Sequence, residues 1–317
     1  MSAPRTTVGP AGPPAPPTRQ SPAHTRAAFG FLLPFGLLFA ALFLLPIGYT
    51  LGQSLYRVER SGLGFGPSRT VFAGAANYAA ALKDGSFLAG VARILLLGIV
   101  QVPVMLGLAL VLALLVDTRS TRLRGFFRLA CFLPYAIPGV VATLLWAFLY
   151  LPGTSPLVAG LTSMGIRVDL LSAGTVLWST ANIVTWTWTG YNMLVILAAL
   201  RAVPGELYEA AELDGAGSWR IAWHIKIPLV VPALVLTGTF SIIGTLQLFT
   251  EPVILRSLTS TVSADYTPNM AAYQAAFGAN DYGRASAIAV LLALATCLLS
   301  FSFLRLSARL TGSRVGR

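Results

Sequence analysis

The sequence predicts an all-α membrane protein with six transmembrane helices, and three observations carry that expectation. Hydrophobic residues make up 56% of the 317-residue chain and charged residues only 10%, against roughly 25% charged residues in a soluble domain. Mean hydropathy is +0.74, which leaves more apolar surface than a soluble interior can hide. The apolar residues also gather into six long runs, each close to the ~20 residues that cross a ~30 Å hydrocarbon core at ~1.5 Å per residue.

Ahead of the first run stands MSAPRTTVGPAGPPAPPTRQSPAHTR, with seven prolines and almost no large hydrophobe. Such a segment cannot bury a core, so residues 1–26 read as a disordered cytoplasmic arm. It is not a signal peptide, because the apolar run after it is too long and lacks a clear small-residue cleavage site. The membrane domain is expected over 27–307, followed by a basic cytoplasmic tail over 308–317. Its first run, 27–56, holds no charge, and the second, 94–116, is framed by Arg93 and Asp117. Arg93 sits where it can snorkel to the interface. The third run is 129–151, the fourth 175–200, the fifth 229–250 and the sixth 285–304, each expected as one spanning helix. Pro34, Pro46, Pro103, Pro134, Pro138 and Pro232 lie in or beside these runs. They are tolerable where neighbouring helices satisfy the freed backbone groups.

Six spans leave both termini on one side. The segments on that side carry Arg5, Arg19 and Arg26; Arg119, Arg122, Arg124 and Arg128; Arg201, Arg220 and Lys226; and Arg305, Arg309, Arg314 and Arg317, fourteen basic residues. The alternate segments carry seven: Arg57, Arg60, Arg69, Lys83, Arg167, Arg256 and Arg284. The bias places both termini, and the 201–228 segment between the fourth and fifth spans, in the cytoplasm. The formal charge is +11, but the basic residues are scattered between apolar runs and form no single face. Membrane topology accounts for them, and nucleic acid is not an expected partner. Cys131 and Cys297 fall inside apolar runs, with no disulfide framework or metal-ligand spacing. His24 and His224 are the only histidines, so no catalytic or metal-binding residue is expected.

The stretch ELYEAAELDGAGSWRIAWHIKIP spends Glu206, Glu209, Glu212 and Asp214 within nine residues, although the chain holds only eleven acids. Pro204 suits the first turn of a helix, and Glu206 complements its positive end. Gly215 and Gly217 supply a stop and a turn. Ser218 reads as the N-cap of a second short helix, 219–227, ending against Pro228. On the first helix Leu207, Ala210, Ala211 and Asp214 share a face by three-and-four spacing. Small residues there let another surface approach the backbone, and Glu209 and Asp214 flank the patch with negative charge. A helix with a small apolar centre and acidic edges suits a partner's groove. The competing reading is an amphipathic helix lying on the lipid, where an anionic leaflet repels four acids.

Glu209-Ala210-Ala211, then Asp214-Gly215-Ala216, then Ile225 and Pro228, resembles the EAA motif of the permease subunits of binding-protein-dependent ABC importers. RGFFRLACFLPYAIPGVVATLLWAFLY (124–150) is similar to the third-span region of the carbohydrate-uptake group. GYNMLVILAALRAVPGELYEAAELDGAGSW (190–219) resembles the maltose- and glycerol-3-phosphate-type first permease of that group, and TPNMAAYQAAFGANDYGRASAIAVLL (267–292) also fits. The resemblance covers roughly residues 30–307. It implies the ABC type I importer permease fold, a bacterial plasma or inner membrane, and a coupling helix seated in a cytoplasmic ABC ATPase dimer. Glu209, Ala210, Ala211, Asp214, Gly215, Ile225 and Pro228 are the coupling residues it implies. It further implies a second homologous permease, an extracytoplasmic solute-binding protein and a sugar substrate. One departure stands out: SLTSTVSADYTP (257–268) replaces the Gly-Gly-Pro-like stretch that family members often carry after the fifth span.

A P-loop needs a glycine-rich loop ending in Gly-Lys-Ser/Thr, whereas Lys83 and Lys226 follow Leu82 and Ile225. The chain is therefore not expected to be an enzyme or to hold a cofactor; ATP and Mg belong to the separate ATPase. A sugar path suits aromatic faces with hydroxyl and amide partners. Trp186, Tyr191 and Asn192 of the fourth span and Thr245 and Gln247 of the fifth are the candidates, with Trp188 and Glu251 nearby. Interhelical hydrogen bonding and interfacial anchoring are the competing roles for each. Three other functions compete: an ABC permease for a non-sugar solute, a membrane-embedded enzyme, against which the near absence of histidine and intramembrane acids counts, and an ion-coupled secondary transporter. The last calls for internal repeats and mid-membrane ionisable groups that the sequence does not offer.

Overall fold

The computed structural model describes residues 22–60, 68–118 and 123–315. The chain divides into two compact units, 1–49 and 50–317. The described residues of the first are helical. Helix α1 (Pro22–Phe39) passes through a π-helical turn, Ala40–Leu44, and continues as α2 (Leu45–Gln53), which crosses into the second unit. Phe35, Phe39 and Phe43 stack in a column with ring centroids 6.0 and 5.3 Å apart, as four-residue spacing on a helix dictates. Residues 22–26 of the expected disordered arm are thus helical, while 1–21 lie outside the described residues.

The second unit opens with an element the all-helical expectation did not contain. Strands β1 (Tyr56–Arg60) and β2 (Ser68–Phe72) form an antiparallel hairpin in which Tyr56 faces Phe72 and Val58 faces Thr70. β-Branched and aromatic residues suit such cross-strand pairs. Helix α3 (Ala76–Lys83) fastens the hairpin: buried Asn77 donates from Nδ2 to the carbonyls of Ser54 and Tyr56, both at 2.8 Å.

Helix α4 (Gly85–Asp117) follows, capped by Asp84, whose carboxylate accepts from the Ser86 amide at 2.9 Å. Next come α5 (Arg124–Ala136), α6 (Gly139–Tyr150), α7 (Pro156–Ser163) and α8 (Val176–Arg201). After them stand α9 (Glu206–Leu213), α10 (Ser218–Ile221), α11 (Ile227–Leu246) and α12 (Thr250–Arg256). Helices α13 (Pro268–Tyr273) and α14 (Tyr282–Val315) complete the chain, the latter running on through most of the expected tail.

Among the described residues five helical runs are long and apolar enough to cross a membrane: 30–53, 85–117, 176–201, 218–256 and 282–309. The third expected span is not one helix. Helices α5 and α6 meet at 95°. Pro138 causes the break, because a residue before proline is driven out of the α region. Ile137 accordingly takes φ −77° and ψ 130° and Pro138 φ −53° and ψ 132°. Pro34, Pro103, Pro134 and Pro232 remain inside helices.

Helices α4 and α8 form the most extensive helix pair. Ala109 and Ala113 of α4, fully buried, pack with Met193, Ile196, Leu197 and Leu200 of α8 and with Val230 of α11. Without a hydrophobic drive between helices in lipid, small residues that admit close backbone approach take over. Helix α5 uses the same device on α8: Gly190 lies so close that an added Cβ would stand 2.6 Å from the Cys131 carbonyl carbon and 3.0 Å from Phe132 Cα. At the far end of the unit Arg93 does not snorkel free. Its guanidinium lies 4.6 Å from the centroid of the Tyr266 ring and donates to the Tyr266 carbonyl at 3.0 Å. Asp84 pairs with Arg284 there, tying α4 to α14.

Candidate functional site

Two places in the second unit carry the predicted functional residues. The first is the acidic segment between α8 and α11. Helix α9 ends as its glycine directs. Gly215 takes φ 78°, its amide donates to the Glu212 carbonyl at 3.0 Å, and the Ala216 amide donates to Ala211 at 2.9 Å. This paired arrangement satisfies the last carbonyls of the helix. Ser218 is not the N-cap expected of it; Gly217 holds that position and Ser218 opens α10. The second helix also does not stop at Pro228. It passes through a π-helical turn, Ala222–Lys226, closed by the Ile227 amide on the Ala222 carbonyl, straight into α11. Pro228 removes an amide and crowds the carbonyl four residues earlier, and it falls in the first turn after this wider turn.

Leu207, Glu209, Ala210 and Asp214 are exposed and Ala211 is half-buried, so α9 presents most of its predicted face outward. The sequence reading passed over Leu213, which is 90% exposed at the tip. Ile225 is half-buried and Pro228 exposed. The root of the segment is anchored. Lys226 Nζ lies 2.5 Å from Asp117 Oδ2 at the end of α4 and 5.0 Å from the centroid of the Tyr208 ring on α9. Burial, and then the Asp117 carboxylate, push the Tyr208 phenol above its ordinary pKa. One lysine therefore joins α9, α4 and the start of α11.

The second place is a cavity of about 180 Å³ between α4, α8, α11 and α12, lined among others by Tyr191, Asn192, Ser241, Thr245, Gln247 and Glu251. Four of the five predicted pathway residues meet there. Trp186 lies outside that lining, its ring set edge-on to Trp146 of α6 at 5.8 Å. Thr245 donates to Gln101 Oε1 of α4 at 3.2 Å, a buried interhelical bond. Gln247 stands where the helix breaks: α11 ends at Leu246, and Gln247 takes φ −96° and ψ 14° before α12 begins. Asn192 is 2% exposed, yet its Nδ2 finds no hydrogen-bond partner. Leaving such a group unsatisfied costs about 1–3 kcal/mol. The rings of Tyr135, Trp188 and Tyr191 form one cluster, Tyr135 stacking on Tyr191 at 4.9 Å and meeting Trp188 edge-on at 5.2 Å. Tyr135 and Gln101 lay beyond sequence reasoning, since only the packing of α4 and α5 on α8 and α11 brings them in.

A bundle of spanning helices around a small cavity walled by aromatic rings and amides, with an acidic helix projecting from one end, defines the membrane-embedded subunit of a solute transporter. Residues 105–312 match the family described as binding-protein-dependent transport system inner membrane component, and the chain belongs to it. It is similar to the trehalose transport system permease protein SugA of Mycobacterium tuberculosis, 30% identical over 286 residues, which span 90% of this chain and 89% of that one. It is also similar to the sn-glycerol-3-phosphate transport system permease protein UgpA of Agrobacterium fabrum, 31% identical over 84% of this chain and 90% of that one. Among solved structures it shares the fold of a chain of the bacterial alginate ABC transporter in complex with alginate pentasaccharide-bound periplasmic protein. The TM-score is 0.76 at 20% identity, over 91% of this chain and 96% of that one. The chain is thus a multi-pass membrane permease of the ABC importer class.

Proposed function

We propose that this chain forms half of the translocation pathway of an ATP-driven, binding-protein-dependent sugar importer, in a bacterial plasma membrane with both termini cytoplasmic. A second homologous permease supplies the other half, and a solute-binding protein delivers the sugar from outside. A separate ABC ATPase dimer hydrolyses ATP with Mg, because neither lysine of this chain stands in a P-loop. The observation that carries the reading is the α9 segment. Its small-residue face and acids project outward while Lys226 fastens its root to α4. A partner pressing on Ala210, Ala211 and Gly215, with Glu209 and Asp214 at the edge and Ile225 and Pro228 behind, acts directly on helices that line the cavity. Tyr191, Asn192, Thr245 and Gln247 contact the passing solute there, and Trp186 supports α8 from its other side.

The sugar assignment leans on the cargoes printed for relatives such as the trehalose permease. Those cargoes extend to an acidic polysaccharide, so kinship leaves the charge of the cargo open. The test is purification of the chain with its partners in mild detergent, then ATP-dependent uptake in proteoliposomes with Ala210→Trp and Gly215→Trp. Both variants are expected to insert normally, lose the ATPase and lose uptake. A Gly215→Trp protein that transports normally with the ATPase bound would sink the coupling role, and uptake without any ATPase would sink the importer reading.

A further inference from the structure

The cavity carries information about charge that the family does not. Among the described residues lining it, Glu251 alone bears a formal charge. The ion pairs among the described residues join Arg57 to Glu59, Lys226 to Asp117 and Arg284 to Asp84; none involves Glu251, so among the described residues no cation pairs with its carboxylate. The same lining includes the polar residues Asn192, Gln247, Ser241 and Thr250 and the aromatic residues Trp188 and Tyr191. The Asn192 Nδ2 is buried beside this lining without a hydrogen-bond partner.

We infer that Glu251 makes this cavity a charge filter, admitting uncharged and amino-bearing sugar rings and rejecting anionic ones such as uronates and sugar phosphates. The inference rests on the reading of the cavity as part of the solute path. The chemistry is complementary on both sides. An ionised carboxylate accepts only, and accepts two hydrogen bonds at once, which suits neighbouring sugar hydroxyls or an ammonium group. Gln247 and the Ser241 and Thr250 hydroxyls supply donors for ring or hydroxyl oxygens, and Trp188 and Tyr191 supply apolar surface for the ring. A second negative charge brought into a space of about 180 Å³ sits within a few ångströms of the first, where water screens little. The volume is below the ~300–1,000 Å³ of ordinary small-molecule sites, as suits one wall of a passage whose other half a second permease supplies.

The experiment uses the full chain in lipid nanodiscs and three rings of one size and three charges: glucose, glucosamine and glucuronate. Quenching of the Trp188 signal, isolated by subtracting a Trp188→Phe protein, reports occupancy. Half-maximal quenching by glucuronate is expected at roughly tenfold or more the concentration needed for glucose. Glu251→Gln closes the gap to within about twofold, and Glu251→Asp keeps it. Equal quenching by glucuronate and glucose in the native chain overturns the inference, as does a gap that survives Glu251→Gln. A thiol placed at Ser241→Cys, in a chain carrying Cys131→Ser and Cys297→Ser, gives a readout that needs no sugar and no change at Glu251. With each rate divided by that of the same reagent on a free thiol in solution, cationic methanethiosulfonate is expected to be favoured about tenfold over the anionic reagent, and equal normalised rates overturn the filter. Silence toward all three sugars, with the labelling bias intact, leaves the filter standing and refutes the solute-path reading instead.

Discussion

Placing a single methyl group at Gly190 tests the packing that holds the cavity wall. Gly190 sits on α8 between Thr189 and the cavity residue Tyr191, pressed against the backbone of α5. A Cβ there meets the Cys131 carbonyl carbon at 2.6 Å and Phe132 Cα at 3.0 Å. The Cys131 carbonyl oxygen lies nearer still, and carbon atoms prefer about 3.5–4.0 Å, so α5 must retreat by more than about 1 Å. Backbone rather than a flexible side chain is in the way, which puts the cost near 3 kcal/mol, the upper end for overpacking. Alanine's better helix propensity returns about 1 kcal/mol, leaving a net loss near 2 kcal/mol, or roughly a thirtyfold fall in the folded-to-unfolded ratio. The retreat also pulls Tyr135 away from Tyr191. Unfolding of the full chain in mixed micelles, followed by tryptophan fluorescence, measures the loss. The matched control is Gly107→Ala on α4, where an added Cβ meets nothing within 4 Å. A Gly190→Ala protein as stable as that control would refute the close crossing of α5 and α8.

Three further outcomes follow from other contacts. Lys226→Met leaves Asp117 without its cation while keeping the stem length. About 2–3 kcal/mol of stability is expected to go, with proteolysis of the α9 segment accelerated before global unfolding; unchanged protease sensitivity would dissociate the lysine from the segment. Gly215→Ala forces a left-handed residue to carry a Cβ at about 1–2 kcal/mol, so reduced ATPase co-purification is expected with normal membrane insertion, and full co-purification counts against the glycine's role. Asp84 has its carboxyl held below the ordinary range, first by the Ser86 hydroxyl and also by the Ser86 amide and Arg284. A lowered folded-state pKa stabilises above the unfolded value of ~3.9 and ceases to do so as pH falls through the folded value. Asp84→Asn is therefore expected to be less stable than the native chain at pH 7, with the difference shrinking in acid; a pH-independent difference would argue against the carboxylate.

Much of this was legible in the chain itself because lipid imposes a simple code. A run without charge long enough to cross hydrocarbon must be helical, and the first, second, fourth and sixth runs appear as continuous helical spans, the second beginning at 85 rather than 94; the fifth begins at 218 rather than 229 and its helix ends at Leu246. Gly215 announced the end of α9 because only a left-handed residue closes that helix so. The break at Ile137 and Pro138 was written in the sequence too, but Pro34, Pro103 and Pro232 show that proline alone does not decide. The outcome depends on whether neighbours can satisfy the freed groups, which is tertiary information. The same limit hid the hairpin, whose pairing depends on Asn77 reaching back across more than twenty residues, and the Gln101 partner of Thr245. Asn192 and Gln247 were legible as amides costly to strand in lipid; that they meet Glu251 across one cavity was not.

The run from Ser218 through the π-helical turn to Leu246 has a mechanical consequence. At ~1.5 Å per residue it is a rod about 43 Å long, with the acidic segment at one tip and Gln247 and the cavity at the other. A tilt of about 5° about Lys226, roughly 30 Å from the far tip at ~1.5 Å per residue, sweeps that tip through about 2.6 Å, the scale on which packed helices slide between discrete states. Lys226, bonded to Asp117 close to the near tip, stands where such a lever has its fulcrum. A displacement too small to disturb a docked surface at one end is then large enough to reshape the cavity wall at the other.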